Sequence, residues 1–207
     1  VGLERWSRDF DPDLTPAAYA RSGDEVVVDT YCCSKGTVTR NLSTSTEQFY
    51  EELGYTPGMP VTGPIAIEEA MVGDVVRIDV LDIEVADRGW TMALEGRGAL
   101  GHRIETGESR LVPVEDDEVL FGNRVRLPLR PMIGSIGTTP PEGPWRAGTP
   151  GPHGGNMDCK LLTPDSTVFL PVLIPEAHLA LGDLHAVQGD GEAGCAGAEI
   201  GGKVRLR

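Results

Sequence analysis

Glycine and proline interrupt this chain at such short intervals that long helices are excluded from most of it. With 27 Gly and 16 Pro in 207 residues, few stretches run uninterrupted for the three or four turns of an ordinary helix, because proline removes a backbone donor and glycine loses the most entropy on ordering. What lies between the breaks is β-branched and short. Val26 to Tyr31 follows turn chemistry at Ser22-Gly23-Asp24, and Ile65 to Glu68 is followed by a turn at Val72-Gly73-Asp74. Val75 to Val85 is the clearest strand, with one nearly apolar face. Asn123 to Leu129, Met132 to Gly137 and Ser166 to Ile174 read the same way, and Pro171 puts part of the last at an edge or bulge. Only Ser43 to Gly54 reads as a helix, with a Ser/Thr cap region, apolar residues at 49, 50 and 53, and a glycine stop. Asp87 to Asp117 shows neither period and reads as a long loop, a rim or lid over a site. These patterns predict a mainly β fold with minor α (α+β), a β-sandwich or barrel-like core of short strands, in a single domain spanning 1–207.

The charge narrows the partners. A formal net charge of −14, from 32 acidic and 18 basic residues, argues against nucleic acid, whose binding draws on counterion release by clustered Lys and Arg. No apolar run approaches the ~20 residues of a membrane helix. Cys32, Cys33, Cys159 and Cys195 show neither CxxC spacing nor a disulfide framework, which predicts reduced thiols and a cytoplasmic location.

Two glycine-rich segments concentrate the chemistry. Pro152-His153-Gly154-Gly155-Asn156-Met157-Asp158-Cys159-Lys160 and Gly182-Asp183-Leu184-His185-Ala186-Val187-Gln188-Gly189-Asp190-Gly191-Glu192 together hold His153, Asp158, Asp183, His185, Asp190 and Glu192. This nitrogen and oxygen donor set suits Zn²⁺, Mn²⁺ or Fe²⁺. Taken singly, each member has an ordinary explanation, since Asp beside Gly is a common turn former. On an extended chain Asp183 and His185 share a face, as do Asp190 and Glu192, though ligands at i and i+2 are a weak signature. The GxGxxG spacing of Gly189 to Gly194 follows a loop and carries two carboxylates, so it is no dinucleotide fingerprint.

These two segments, with Gly137-Thr138-Thr139-Pro140-Pro141-Glu142-Gly143 before them and Val61-Thr62-Gly63-Pro64-Ile65 and Ala70 to Val75 upstream, resemble the acetamidase/formamidase family of amidohydrolases. The resemblance is densest from Gly134 to Glu199 and loose before Ser22 and between Asp87 and Asn123. It implies metal-dependent hydrolysis of a short linear amide to carboxylate and ammonia, in a homo-oligomer whose fold continues beyond Arg207. In that chemistry a divalent ion polarises the carbonyl and lowers the pKa of a water. The expected ligands are Asp158, His185 and Glu192, with His153, Asp183 and Asp190 as supporting or alternative ligands and Zn²⁺ ahead of Mn²⁺, Fe²⁺ or Ca²⁺. Glu142 is the expected general base and acid. Asn156 is expected to act with it, and the amides of Gly154 and Gly155 to contact substrate as oxyanion donors or to brace the loop.

Other readings remain open at this stage. Cys159 could serve as a thiol nucleophile with His153 or His185, although a small buried apolar role suits it better. The Gly-Asp-Gly-Glu turn could hold Ca²⁺ on a non-catalytic β-rich module. A family member that keeps the fold and has lost activity is the third reading.

Overall fold

A computed structural model describes residues 1–54 and 58–207 of the chain, with Leu53 described by its backbone alone. Two β-sheets face each other as a sandwich. The smaller has four strands in the order Thr167–Pro171, Val75–Val85, Gly202–Leu206, Val26–Thr30. The larger, of twelve strands, is centred on Leu179–His185, which pairs antiparallel with Val61–Ile67 on one side and Met132–Gly137 on the other, and near its end with Glu199–Ile200.

The apolar layer between the sheets is built from both. Val28, Ile78, Val80, Ile83, Val204 and Leu206 of the smaller sheet pack with Ile65, Ile133, Ile136, Leu181, Leu184 and Ile200 of the larger, and each such side chain contributes ~1.5–3 kcal/mol by leaving water. Along Val75–Val85 the buried residues are 78 and 80 and then 83. The shift of phase coincides with a register slip opposite Arg205 and Leu206, an irregularity that bends the strand over its partner. Pro171 ends the outermost strand of the four, where its missing N–H breaks no ladder.

The helix is Thr46–Leu53, capped by the Ser45 side chain, which accepts from the Gln48 N–H, and closed by Gly54 in a left-handed conformation. The stretch from 87 to 117, expected as a loop, contains instead the strands Arg88–Ala93 and Gly107–Glu115, paired antiparallel from Arg88↔Pro113 to Ala93↔Glu108. The glycines inside these strands are packing positions rather than turns: a Cβ at Gly89 would collide with the Glu199 carbonyl oxygen, and one at Gly107 would sit 2.9 Å from the Thr44 carbonyl oxygen. Glycine at such contacts erases the alternation by which strands are recognised. No helix among the described residues is long and apolar enough to cross a membrane.

Candidate active site

The site forms where the central strand changes face. Leu179, Leu181 and Leu184 all enter the core between the sheets, so the alternation of Leu179–His185 slips by one residue at Gly182-Asp183. Asp183 carries the slip with a left-handed backbone, φ 56°, an uncommon conformation for a side chain larger than glycine. The consequence is that Asp183 and His185 leave the apolar layer together and appear on the outer face of the sheet. Glu199 joins them because it is paired with His185 in the ladder, and its neighbour Ile200 takes the core side.

Asp158 arrives from the other flank. The strand Gly154–Asn156 pairs with Met132–Gly137, and the amides of Met157 and Asp158 both donate to the Gly134 carbonyl. Gly134 itself separates two carboxylates: a Cβ there would lie 2.7 Å from Oδ2 of Asp183 and 3.0 Å from Oδ1 of Asp158. Only glycine admits that approach.

Hydrogen bonds then fix the ring and the carboxylate. Gln188 donates its amide N–H to the Asp158 carbonyl at 2.8 Å, which turns its oxygen toward Nδ1 of His185, also at 2.8 Å. Nδ1 therefore donates, and Nε2 is left facing Glu199 Oε2 at 3.2 Å and Asp183 Oδ1 at 3.7 Å. Asn156 donates to Asp158 Oδ2 and accepts from Ser135 Oγ, so both ends of its amide are committed.

Four atoms of this cluster have no hydrogen-bond partner although they are buried: Asp158 Oδ1, Asp183 Oδ1, His185 Nε2 and Glu199 Oε2. Buried polar atoms are nearly always paired, so four orphans converging from three separate segments of the chain call for a shared partner. Among the described residues, donor atoms form two adjoining groups, Cys33 with Asp183 and Glu199, and Asp158 with His185 and Glu192, each group lying within 4.8 Å. The charge balance says the same. Burial lifts the Asp183 carboxyl to about 6 against the opposing pull of His185, and burial with the charges of Asp158 and Glu199 lifts Glu192 to about 7. Burial alone would make His185 less basic, but Glu199 and Asp183 outweigh it and hold the ring well above its ordinary range. A negative pocket that must either take up protons or bind a cation fits a divalent ion, with His185 and the carboxylates as its donors.

The remaining expected residues fall elsewhere. His153 is fully buried in an aromatic clamp, its ring 5.0 Å from Phe10 and 5.2 Å from Trp145, and burial lowers its basicity. It therefore stands with the apolar flank rather than with the donors. Asp190 is exposed and paired with Lys160 at 2.6 Å, a solvated ion pair. Glu142 is exposed in the bend after Pro141 and belongs to neither donor group. Gly154 and Gly155 are buried with φ of 99° and 80°, and the Gly154 amide is spent on the Gly151 carbonyl, so this pair braces the loop.

Sequence reasoning assigned no part to Glu199, Cys33, Ser135, Gly134 or Gln188. Glu199 left a signal, a lone acid in the small and apolar run Gly197-Ala198-Glu199-Ile200-Gly201, where burial without a partner is costly. Cys33 left none, because only the fold brings it to Asp183.

Comparison with known proteins follows the same line. The family described as "Acetamidase/Formamidase family" matches residues 3–145 and 142–207. A formamidase of Methylophilus methylotrophus is 25% identical, over 95% of this chain and 61% of its own length. The crystal structure of an acetamidase from Bacillus halodurans superposes with a TM-score of 0.92 at 42% identity, covering 99% of this chain and 68% of that one. A predicted acetamidase/formamidase from Thermoanaerobacter tengcongensis gives 0.91 at 40% identity, covering 100% and 67%. This chain thus spans about 61% of the curated formamidase it matches.

Proposed function

The chain belongs to the acetamidase/formamidase family, and we propose that it carries the catalytic centre for hydrolysis of the C–N bond of a short linear amide, giving carboxylate and ammonia. The observation that carries this reading is the convergence of four orphaned buried polar atoms, His185 Nε2 with three carboxylate oxygens. It is supported by the formamidase and acetamidase names of the relatives.

A divalent ion, Zn²⁺ first, would be held by His185 with Asp158, Asp183 and Glu199, beside Glu192, and when bound would polarise the amide carbonyl and acidify a water. The protein's own part is to place and move protons. Glu192, raised to about 7, takes a proton from the attacking water as its oxygen bonds to the amide carbon. It returns that proton to the nitrogen as the C–N bond breaks, which lets ammonia leave. We thus move the general base and acid from Glu142 to Glu192, the carboxyl that adjoins the donors and whose proton is poised near neutrality. Asn156 acts as a positioning residue, because its amide holds Asp158 in place at 2.8 Å. Gln188 does the same for the His185 ring.

A homo-oligomer and a cytoplasmic location complete the proposal. The test is ammonia release from formamide, acetamide and propionamide by purified protein. Release from at least one is expected, and none from any would return the cluster to a non-catalytic binding role.

A further inference from the structure

We infer that Cys33 is a donor to the bound ion, and that its sulfur makes this an ion site of borderline softness, selective for Zn²⁺ over Ca²⁺ or Mg²⁺. The inference rests on the metal reading above and goes beyond it by naming an inner position for the ion and a thiolate ligand.

Cys33 is 4% exposed and comes from the segment after the Val26–Thr30 strand, far in sequence from both glycine-rich segments. Its sulfur lies within 4.8 Å of carboxylate oxygens from Asp183 and Glu199. Buried cysteine ordinarily packs as a small apolar group. Here it shares an apolar layer with Val38, Phe49, Trp90 and Leu94 on one side, while Asp183 and Glu199 each have one buried oxygen, Oδ1 and Oε2, without a hydrogen bond. His185 Nε2, likewise orphaned, points into the same space, 3.2 Å from Glu199 and 3.7 Å from Asp183.

The two donor groups are not equivalent. Nδ1 of His185 is engaged by Gln188, so the ring's free lone pair belongs to the side of Cys33, Asp183 and Glu199. One sulfur, one imidazole nitrogen and two carboxylates form a mixed set that suits Zn²⁺, whereas Ca²⁺ and Mg²⁺ take oxygen ligands throughout. On binding, the thiol loses its proton to solvent and the sulfur enters as thiolate.

The experiment loads chelator-treated protein with Cd²⁺ or Co²⁺ and reads sulfur-to-metal charge-transfer absorption together with metal stoichiometry. Wild type and Cys32→Ser, Cys159→Ser and Cys195→Ser are expected to show the band, and Cys33→Ser and Cys33→Ala to lose it. Zn²⁺ affinity in the Cys33 variants should fall by at least ~10-fold, the lower bound met when even supporting residues of a metal site are removed. Circular dichroism checks that each variant is folded, and protection of the Cys33 thiol from alkylation by Zn²⁺ in wild type gives a reading that needs no substitution. Stoichiometric metal with no charge-transfer band, or a band that survives in folded Cys33→Ser, overturns the role of Cys33 and leaves the metal reading standing. Absence of bound metal in wild type overturns both.

Discussion

His185 and Glu199 stand directly opposite each other on antiparallel strands, with Nε2 of one 3.2 Å from Oε2 of the other and no hydrogen bond to either atom. The pairing is set by the ladder, and the ladder register is set by the core residues Leu184 and Ile200, paired one step away. Site and core are therefore fixed by the same contacts.

Glu199→Gln is expected to lose bound ion and activity together, because the substitution preserves shape while removing the charge nearest Nε2. Metal analysis of the purified variant reads this. A variant with full metal content would remove Glu199 from the donor set.

Glu192 and Glu142 are separated by rate. Glu192→Gln should lower kcat on the order of 10²–10⁴-fold, the range for a lost acid–base group, whereas Glu142→Gln should stay within a few-fold of wild type. The opposite pattern, with metal retained, returns the proton-transfer role to Glu142.

Acidity gives a third test. Asp183 near 6 and the strongly basic His185 must lose protons before they ligate, and Glu192 near 7 gives up its own beside a bound cation. Ion binding should therefore tighten as pH rises through this range and release protons, measured by calorimetry in buffers of different ionisation enthalpy. Without an ion, the raised carboxyl of Glu192 keeps its proton in the folded protein at pH values where the unfolded chain has released it. Metal-free wild type should then lose stability relative to Glu192→Gln as pH rises from the ordinary carboxylate range toward 7. Affinity that is flat across this range would contradict the assignment.

Gly134→Ala tests the close approach of the two carboxylates. The added methyl meets Asp183 at 2.7 Å and Asp158 at 3.0 Å, and overpacking of this kind costs ~1–3 kcal/mol. For a domain of this size that is a fall in Tm of ~2–4 °C for each kcal/mol, accompanied by weaker ion binding. Unchanged Tm and affinity would show that the carboxylates can move apart freely.

Much of this was legible in the sequence because it rests on local pattern. Alternation announced Val75–Val85, a run of small and apolar residues ahead of Pro140-Pro141 announced the Met132–Gly137 strand, and capping chemistry announced the helix at Thr46–Leu53. Asp158, Asp183, His185 and Glu192 were visible as donors among glycines. What was hidden depends on contacts distant in sequence. Strands 88–93 and 107–115 were masked by glycines that pack under Glu199 and Thr44. Cys33 and Glu199 become donors only when the ladder and the outer layer bring them to Asp183. His153 shows the converse: its glycine-rich setting suggested a ligand, yet those glycines make room for a ring between Phe10 and Trp145.

The most direct measurement follows ammonia release from formamide and acetamide while a divalent ion is removed by chelator and then titrated back, with bound metal counted in parallel. The account predicts that activity disappears with the ion and returns in proportion to its occupancy, and that His185→Ala restores neither. Full amide hydrolysis by protein shown to be metal-free would contradict it.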